Sequence, residues 1–386
     1  MENFIFCNPT KLIFGKGTIA SIDTQLPADS VVMMTYGGGS IKKNGVYEQV
    51  RKALGSRRVV EFGGIEPNPR YETLMKAVAS AKAEGVDFLL AVGGGSVIDG
   101  TKFIACAMGY EGSDPWDFVR DNSKLKSVTP LPLATVLTLP ATGSEMNNGA
   151  VITRGSSDEK LAFHHRDVYP RFSVLDPEVC YSLPDKQVAN GVADTFAHVL
   201  EQYLTYPCHA MVQDRFAEGI LKTLVEIGPG VVKDHTDYDT VSNYMFSATM
   251  GLNGIIAMGV PQDWATHMIG HELTALCGLD HGVTLAIVFP ALMSVMRADK
   301  HDKLLQYACR VWGIDSGSPE ARIDEAISLT RRFFEALGIK THLSDYGIGD
   351  DIIRSIVDRM SERGWKLGER GNVTPDKVKL ILEAAK

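Results

Sequence analysis

Two segments of the chain share one arrangement: an uninterrupted apolar run, then three glycines and a serine, then a stretch with helical spacing. Val31 to Tyr36 leads into Gly37-Gly38-Gly39-Ser40, and Phe88 to Val92 leads into Gly93-Gly94-Gly95-Ser96. A third run, Ala134 to Leu139, ends in Pro140-Ala141-Thr142-Gly143-Ser144-Glu145. Apolar strands without polar alternation, separated by helices, specify a parallel sheet covered on both faces. Further strands are expected near Asn3–Phe14, Val59–Phe62, Val151–Thr153 and Ser173–Leu175. After Leu183-Pro184 such runs nearly vanish and helical spacing takes over, as in Val192, Phe196, Val199, Leu200 and Tyr203. The expected organisation is an α/β domain over 1–183 and an all-helical domain over 184–386. Two domains also suit 386 residues.

The charge balance excludes some partners. The net charge is −8 and Lys and Arg are scattered, so no basic stripe for nucleic acid is expected. No apolar run approaches the length of a membrane span. The N-terminal Met1-Glu2-Asn3-Phe4 lacks the features of a signal peptide. Six cysteines lie far apart with no CxxC pair, which suits buried thiols in a reducing, cytoplasmic setting.

A strand that ends in glycines and enters a helix presents several backbone N–H groups to an anion, phosphate above all. Neither turn is GxGxxG. Two of them at the carboxyl ends of parallel strands suit a dinucleotide, whose phosphates are separated. The first turn offers no carboxylate to a ribose 2′-hydroxyl, and Lys42 and Lys43 follow it. NADP(H) is therefore expected over NAD(H) if this turn holds the adenosine end.

The helical half carries a second constellation. Asp194 and His198 stand one helical turn apart, as do His267 and His271, and His281 follows shortly. Aspartate is a weak helix former, so its place in mid-helix asks for a reason. One carboxylate with several imidazoles suits a divalent metal, Fe(II) or Zn(II). His271-Glu272 is not the HExxH of zinc proteases. The remaining histidines have no partner at ligand spacing and read as surface or local hydrogen-bonding residues.

With these features in place, the chain resembles the iron-containing (group III) alcohol dehydrogenases, in particular their butanol dehydrogenase and NADPH-dependent aldehyde reductase branch. The resemblance runs from Leu12-Ile13-Phe14-Gly15 to Leu343-Ser344-Asp345-Tyr346-Gly347. Its strongest segments are EFGGIEPNP (61–69), LLAVGGGSVIDGTKFIA (89–105), LTLPATGSE (137–145), QVANGVADTFAHVLEQY (187–203) and GVPQDWATHMIGHELTALCGLDHG (259–282). It implies a Rossmann-like dinucleotide-binding domain followed by an all-α metal-binding domain, as in dehydroquinate synthase. It implies metal ligands at Asp194, His198, His267 and His281, and sets His271 apart as a histidine near the substrate with a relay role. It implies a pyrophosphate loop at Gly94, Gly95, Ser96 and Asp99, and a 2′-phosphate site at Gly38, Gly39 and Ser40. Thr138, Thr142, Asn147, Gly149, Lys160 and Leu183 match positions lining the rest of the cofactor. Asn68, in Glu66-Pro67-Asn68-Pro69, either binds the cofactor or caps its turn. Met146 departs mildly from relatives that carry a small polar residue there. A homodimer is implied as well.

The expected activity is hydride transfer between NADP(H) and short-to-medium-chain aldehydes or primary alcohols, with the metal as Lewis acid. An NAD-dependent polyol dehydrogenase of the glycerol type is the nearest rival. A metal-dependent hydrolase would leave both glycine turns unexplained, and a non-catalytic dinucleotide sensor would not need the ligand set.

Overall fold

A computed structural model describes residues 1–157 and 159–386. Cys7–Leu183 with Thr236–Met245 form one compact unit, and Met1–Phe6, Pro184–His235 and Phe246–Lys386 form the other.

In the α/β unit, the strands are β1 (Lys11–Phe14), β2 (Val31–Tyr36), β3 (Arg58–Phe62), β4 (Phe88–Gly93), β5 (Leu133–Leu137), β6 (Gly149–Arg154), β7 (Glu159–His164) and β8 (Phe172–Leu175). Its helices are α1 (Ile22–Gln25), α2 (Val46–Leu54), α3 (Tyr71–Glu84), α4 (Gly95–Met108) and α5 (Trp116–Arg120). Six strands make one parallel sheet in the order β1-β8-β5-β4-β2-β3. The central β4 and β5 are buried at every position, as their unbroken apolar sequences require. The outermost β1 and β3 carry Lys11, Arg58 and Glu61 and are partly exposed, which blunts the sheet edges. Pairing of β2 with β4 sets Tyr36 beside Val92, so both glycine turns leave the sheet side by side at its carboxyl edge.

Three expectations need correction. Residues 3–10 form no strand, and the chain enters the sheet only at Lys11. The strand at 151–153 does not extend the main sheet; β6 pairs antiparallel with β7 as a separate hairpin. Its burial alternates, with Ala150 and Ile152 inside, so it has one apolar face, which lies on α4, and not the two that an interior parallel strand needs. Finally, only the second glycine turn opens an α-helix directly. The first enters a short 3-10 turn, Ser40–Lys42, and α2 begins after Gly45.

The other unit is helical: α6 (Asp185–Tyr203), α7 (Met211–Lys233), α8 (Tyr238–Gly251, begun in the α/β unit), α9 (Ala265–Cys277), α10 (His281–Val295), α11 (Arg297–Arg310), α12 (Pro319–Ala336), α13 (Asp350–Glu362) and α14 (Pro375–Ala384). The α10 helix is apolar on every side and packs against α6, α9, α12 and α14. It is the post around which the ligand-bearing helices stand. Among the described residues, no single helix is long and apolar enough to cross a membrane.

Candidate metal centre and dinucleotide cradle

Three helices bring the sequence-predicted ligands together. Asp194 and His198 lie one turn apart on α6, His267 sits in the first turn of α9, and His281 begins α10. The Asp194 Oδ1 atom faces the Nε2 atoms of His198, His267 and His281 at 3.6, 3.7 and 3.6 Å. Those separations exceed hydrogen-bond length. Asp194, His267 and His281 form a group whose ligand atoms all lie within 4.8 Å of one another. Oδ1 of Asp194 and Nε2 of His267 are buried and make no hydrogen bond. Two buried polar atoms without a hydrogen-bond partner are costly unless a cation completes them. The donor set therefore fits a divalent metal of borderline hardness.

The local electrostatics agree. Burial alone would raise the Asp194 carboxyl, but His198, His267 and His281 outweigh it and hold it far below the ordinary carboxylate range. His267 is opposed by burial, yet its contacts with Asp194 and Glu201 push it up to about 9.

Glu201 escaped the sequence reading. It lies two turns beyond Asp194 on α6 and is fully buried. Its Oε1 accepts from the His267 backbone N–H at 3.0 Å and stands 3.0 Å from His267 Nδ1. With the Nδ1 proton held there, Nε2 is the ring atom left for a metal, which would displace its proton, and the ring plane is fixed for that role. Burial first, and the Asp263 carboxylate second, raise the Glu201 carboxyl, while His267 opposes them. Asp263 is bound to Lys300 at 2.8 Å, and Lys300 to Glu369 at 3.0 Å, all three buried. The seven-residue spacing from Asp194 and a glutamate inside Val199-Leu200-Glu201 were the available signals.

His271 is half-buried, one turn past His267, with its ring 5.3 Å from that of His281. It borders the cluster and, like His198, lies outside the group that Asp194, His267 and His281 form. Its neighbour Glu272 is pinned by Arg359 at 2.6 Å and Arg363 at 2.5 Å, which ties α9 to α13.

The two glycine turns, where the dinucleotide is expected, lie at the carboxyl edge of the sheet. A Cβ built on Gly38 or Gly39 would meet nothing within 4 Å, so open space lies over both, and Gly39 has φ 91°. Ser40 is exposed. Gly94 and Gly95 begin α4, and a Cβ on Gly95 would fall 2.4 Å from Thr142 Oγ1. Thr142 thus lies directly on the second turn. Ser96 Oγ accepts from the Asn68 backbone N–H at 3.3 Å, and Asn68 takes φ 56°, a conformation asparagine tolerates in turns. The Thr138 N–H is bound to the Gly93 carbonyl at 3.0 Å, beside the same turn. Leu183 closes a 3-10 helix on Cys180 and is half-buried.

Asp99 and Asn147 have structural partners that spacing could not reveal. Asp99 accepts from Ser144 Oγ at 2.6 Å and from the Val151 N–H at 2.9 Å. Burial raises its carboxyl, while Lys102 and, more weakly, Lys160 act against that, which puts Lys160 within electrostatic reach. Lys102, another residue the sequence reading passed over, is fully buried on α4. Its ammonium donates to Ser144 Oγ at 2.9 Å, Asn147 Oδ1 at 2.9 Å and the Gly149 carbonyl at 2.8 Å. One cation therefore ties the 144–149 loop to the helix that opens from the second turn.

Comparison with known proteins agrees with this geometry. Residues 9–177 match the family described as iron-containing alcohol dehydrogenase, and 188–386 match the C-terminal part of the Fe-containing alcohol dehydrogenase family. The chain is 56% identical to the NADPH-dependent aldehyde reductase YqhD of Escherichia coli, with all of both chains covered. It is 39% identical to NADH-dependent butanol dehydrogenase A of Clostridium acetobutylicum, over 100% of this chain and 99% of that one. The crystal structure of E. coli YqhD superposes with a TM-score of 0.97 at 55% identity, covering 100% of this chain and 99% of that one. An NADH-dependent butanol dehydrogenase A from Thermotoga maritima gives 0.93 at 37% identity, over 100% and 99%. The chain, matched along nearly its whole length, belongs to the iron-containing alcohol dehydrogenase family.

Proposed function

We propose that the chain is a metal-dependent alcohol dehydrogenase and aldehyde reductase, using NADP(H) in preference to NAD(H) on short-to-medium-chain aldehydes and primary alcohols. The observation that carries this reading is the single carboxylate oxygen of Asp194 facing three imidazole Nε2 atoms with no hydrogen bond to any of them. When bound, Fe(II) or Zn(II) supplies Lewis acidity toward a carbonyl oxygen, and the reduced nicotinamide supplies hydride. Asp194, His198, His267 and His281 would hold the metal, and Glu201 would keep the His267 Nδ1 proton turned away from it. Gly38, Gly39 and Ser40 would take the 2′-phosphate, and Gly94, Gly95 and Ser96 the pyrophosphate at the start of α4. Asp99, Thr138, Thr142, Asn147, Gly149, Lys160 and Leu183 would line the remainder, with Asn68 shaping its edge and Lys102 holding the loop. A ring nitrogen of His271 relays the proton between the reacting oxygen and water.

The relatives support the substrate class, as an aldehyde reductase at 56% identity and butanol dehydrogenases near 39% bracket the same chemistry. A homodimer is the assembly we infer. Phe4, Ile5, Phe6, Met211, Val212 and Phe216 are exposed apolar side chains of the helical unit, a kind of surface that association covers. The six free cysteines support a reducing, cytoplasmic setting.

The test is NADPH oxidation with butanal before and after chelation, followed by metal re-addition. Activity should vanish with the metal and return with Fe(II) or Zn(II). Full activity in protein shown to be metal-free refutes the reading.

A further inference from the structure

Glu61 stands on β3 beside β2, the strand that leads into the first glycine turn. Here the carboxylate is already engaged. Its Oε1 accepts from Tyr47 Oη at 2.6 Å, and its Oε2 accepts from Tyr36 Oη at 3.2 Å and from Lys42 Nζ at 3.3 Å. Burial would raise this carboxyl, but those three hydrogen bonds hold it below its ordinary value, so it stays charged and turned toward its donors.

Lys42 is seated as specifically. Its ammonium lies 4.9 Å from the centre of the Tyr36 ring and 4.8 Å from that of Tyr47. Tyr36 is itself wedged in place, because a Cβ on Gly63 would fall 2.4 Å from its ring. A lysine ammonium has three donors, and Glu61 takes one of them. Lys42 ends the 3-10 turn that begins at Ser40, immediately after the open space over Gly38 and Gly39. Its side chain remains 46% exposed, so the charge is available to a ligand.

We propose that Lys42, fixed between Tyr36 and Tyr47 and anchored by Glu61, is the cation that selects the 2′-phosphate of NADPH. The proposal rests on reading the α/β unit as the NADP(H)-binding unit. The lysine offsets the charge of the neighbouring carboxylate and adds an attraction that the unphosphorylated cofactor does not feel. A rigidly held lysine also loses less rotamer freedom on binding than a solvated one.

The experiment is equilibrium binding to the full-length protein, independent of turnover. NADPH and NADH are titrated by nicotinamide fluorescence, and adenosine 2′,5′-bisphosphate and adenosine 5′-monophosphate by calorimetry. Lys42→Met should weaken adenosine 2′,5′-bisphosphate and NADPH by about tenfold at low salt, the scale of one partly exposed charge pair. Its effect on NADH and adenosine 5′-monophosphate should stay within about twofold. Lys42→Arg should restore most of the loss, and the difference between wild type and Lys42→Met should shrink as salt shortens the Debye length. Equal losses for both cofactors, or no loss for either, overturn the proposal. If wild-type protein binds neither dinucleotide, the functional reading falls as well; if it prefers NADPH and Lys42→Met keeps that preference, only the role of Lys42 falls.

Discussion

Replacing Glu201 tests whether the metal site depends on a residue that touches no metal. Oε1 of Glu201 stands 3.0 Å from both the His267 backbone nitrogen and His267 Nδ1, and the side chain is fully buried. Glu201→Ala leaves two buried donors unpaired, at about 1–3 kcal/mol each. Relief of the unfavourable proximity to Asp263 offsets part of that cost. The folded chain should therefore lose about 2–4 kcal/mol. The imidazole also loses the partner that fixes its tautomer and ring plane, and such losses weaken metal binding about 10–100-fold, or about 1.4–2.7 kcal/mol. Glu201→Gln keeps an acceptor of the same reach and removes the charge, so it should stay folded and weaken the metal by about tenfold. The assay is Zn(II) competition against a fluorescent chelator at fixed pH, with urea denaturation of the metal-free proteins alongside. Wild-type metal affinity in folded Glu201→Ala or Glu201→Gln would refute the argument that Glu201 acts through His267. Loss of stability without loss of affinity would reduce it to a packing residue.

Other perturbations follow from the same geometry. Asp194→Ala removes the oxygen that the three imidazoles share, and should abolish measurable metal binding and lower kcat by at least about 10³-fold, the scale of a lost Lewis acid; retained turnover in the metal-free variant would contradict this. Gly95→Ala forces Thr142 away from α4 and should cost about 1–3 kcal/mol in urea unfolding with a coincident loss of dinucleotide affinity. Burial lowers Lys102 to about 8, against 10.5 in the unfolded chain. Between those values the unfolded state binds a proton that the folded state does not, so this lysine makes stability rise with pH across that window. The urea midpoint of wild type relative to Lys102→Met should climb between pH 8 and pH 10.5, and a flat difference would refute the assignment.

The sheet was legible because burial on both faces leaves its mark on every residue of a strand. The β2 and β4 runs need no alternation to be recognised, and their glycines mark where they end. The β7 strand was not legible, since Glu159-Lys160-Leu161 begins like a loop and its pairing with β6 is a hairpin lying on α4. The candidate metal ligands were legible for a related reason. An aspartate and a histidine one turn apart among Val192, Ala193, Phe196, Ala197, Val199 and Leu200 have no cheap explanation except mutual use. Glu201 raised no such alarm because glutamate is an ordinary helix former. Lys102 and Lys300 were hidden more deeply, since a buried lysine is recognisable only from partners distant in sequence, such as Asn147 and Glu369.

Those hidden residues explain a feature of the ligand helix that would otherwise be a defect. Trp264, just before α9, has φ 63° and ψ 4°, a left-handed conformation that costs a non-glycine residue about 1–3 kcal/mol. It persists because Asp263 is held on three sides: its N–H donates to the Glu201 carbonyl at 2.9 Å, its Oδ1 accepts from the Ala265 N–H at 3.1 Å, and its Oδ2 meets Lys300 at 2.8 Å. The strained residue then lays its indole against the two stacked ligand rings, with centroids 5.1 Å from His267 and 6.0 Å from His198. The buried Asp263–Lys300–Glu369 group thus does more than satisfy itself. It fixes where α9 starts, and so whether His267 reaches Asp194 and Glu201 together. If that is its role, Lys300→Met should lower metal affinity even in protein that remains folded. Trp264→Gly should relieve the strain, and the protein should recover stability in proportion to the indole contacts it can spare. A Lys300→Met protein with wild-type metal affinity would show that α9 is positioned by its packing on α10 and α13 alone.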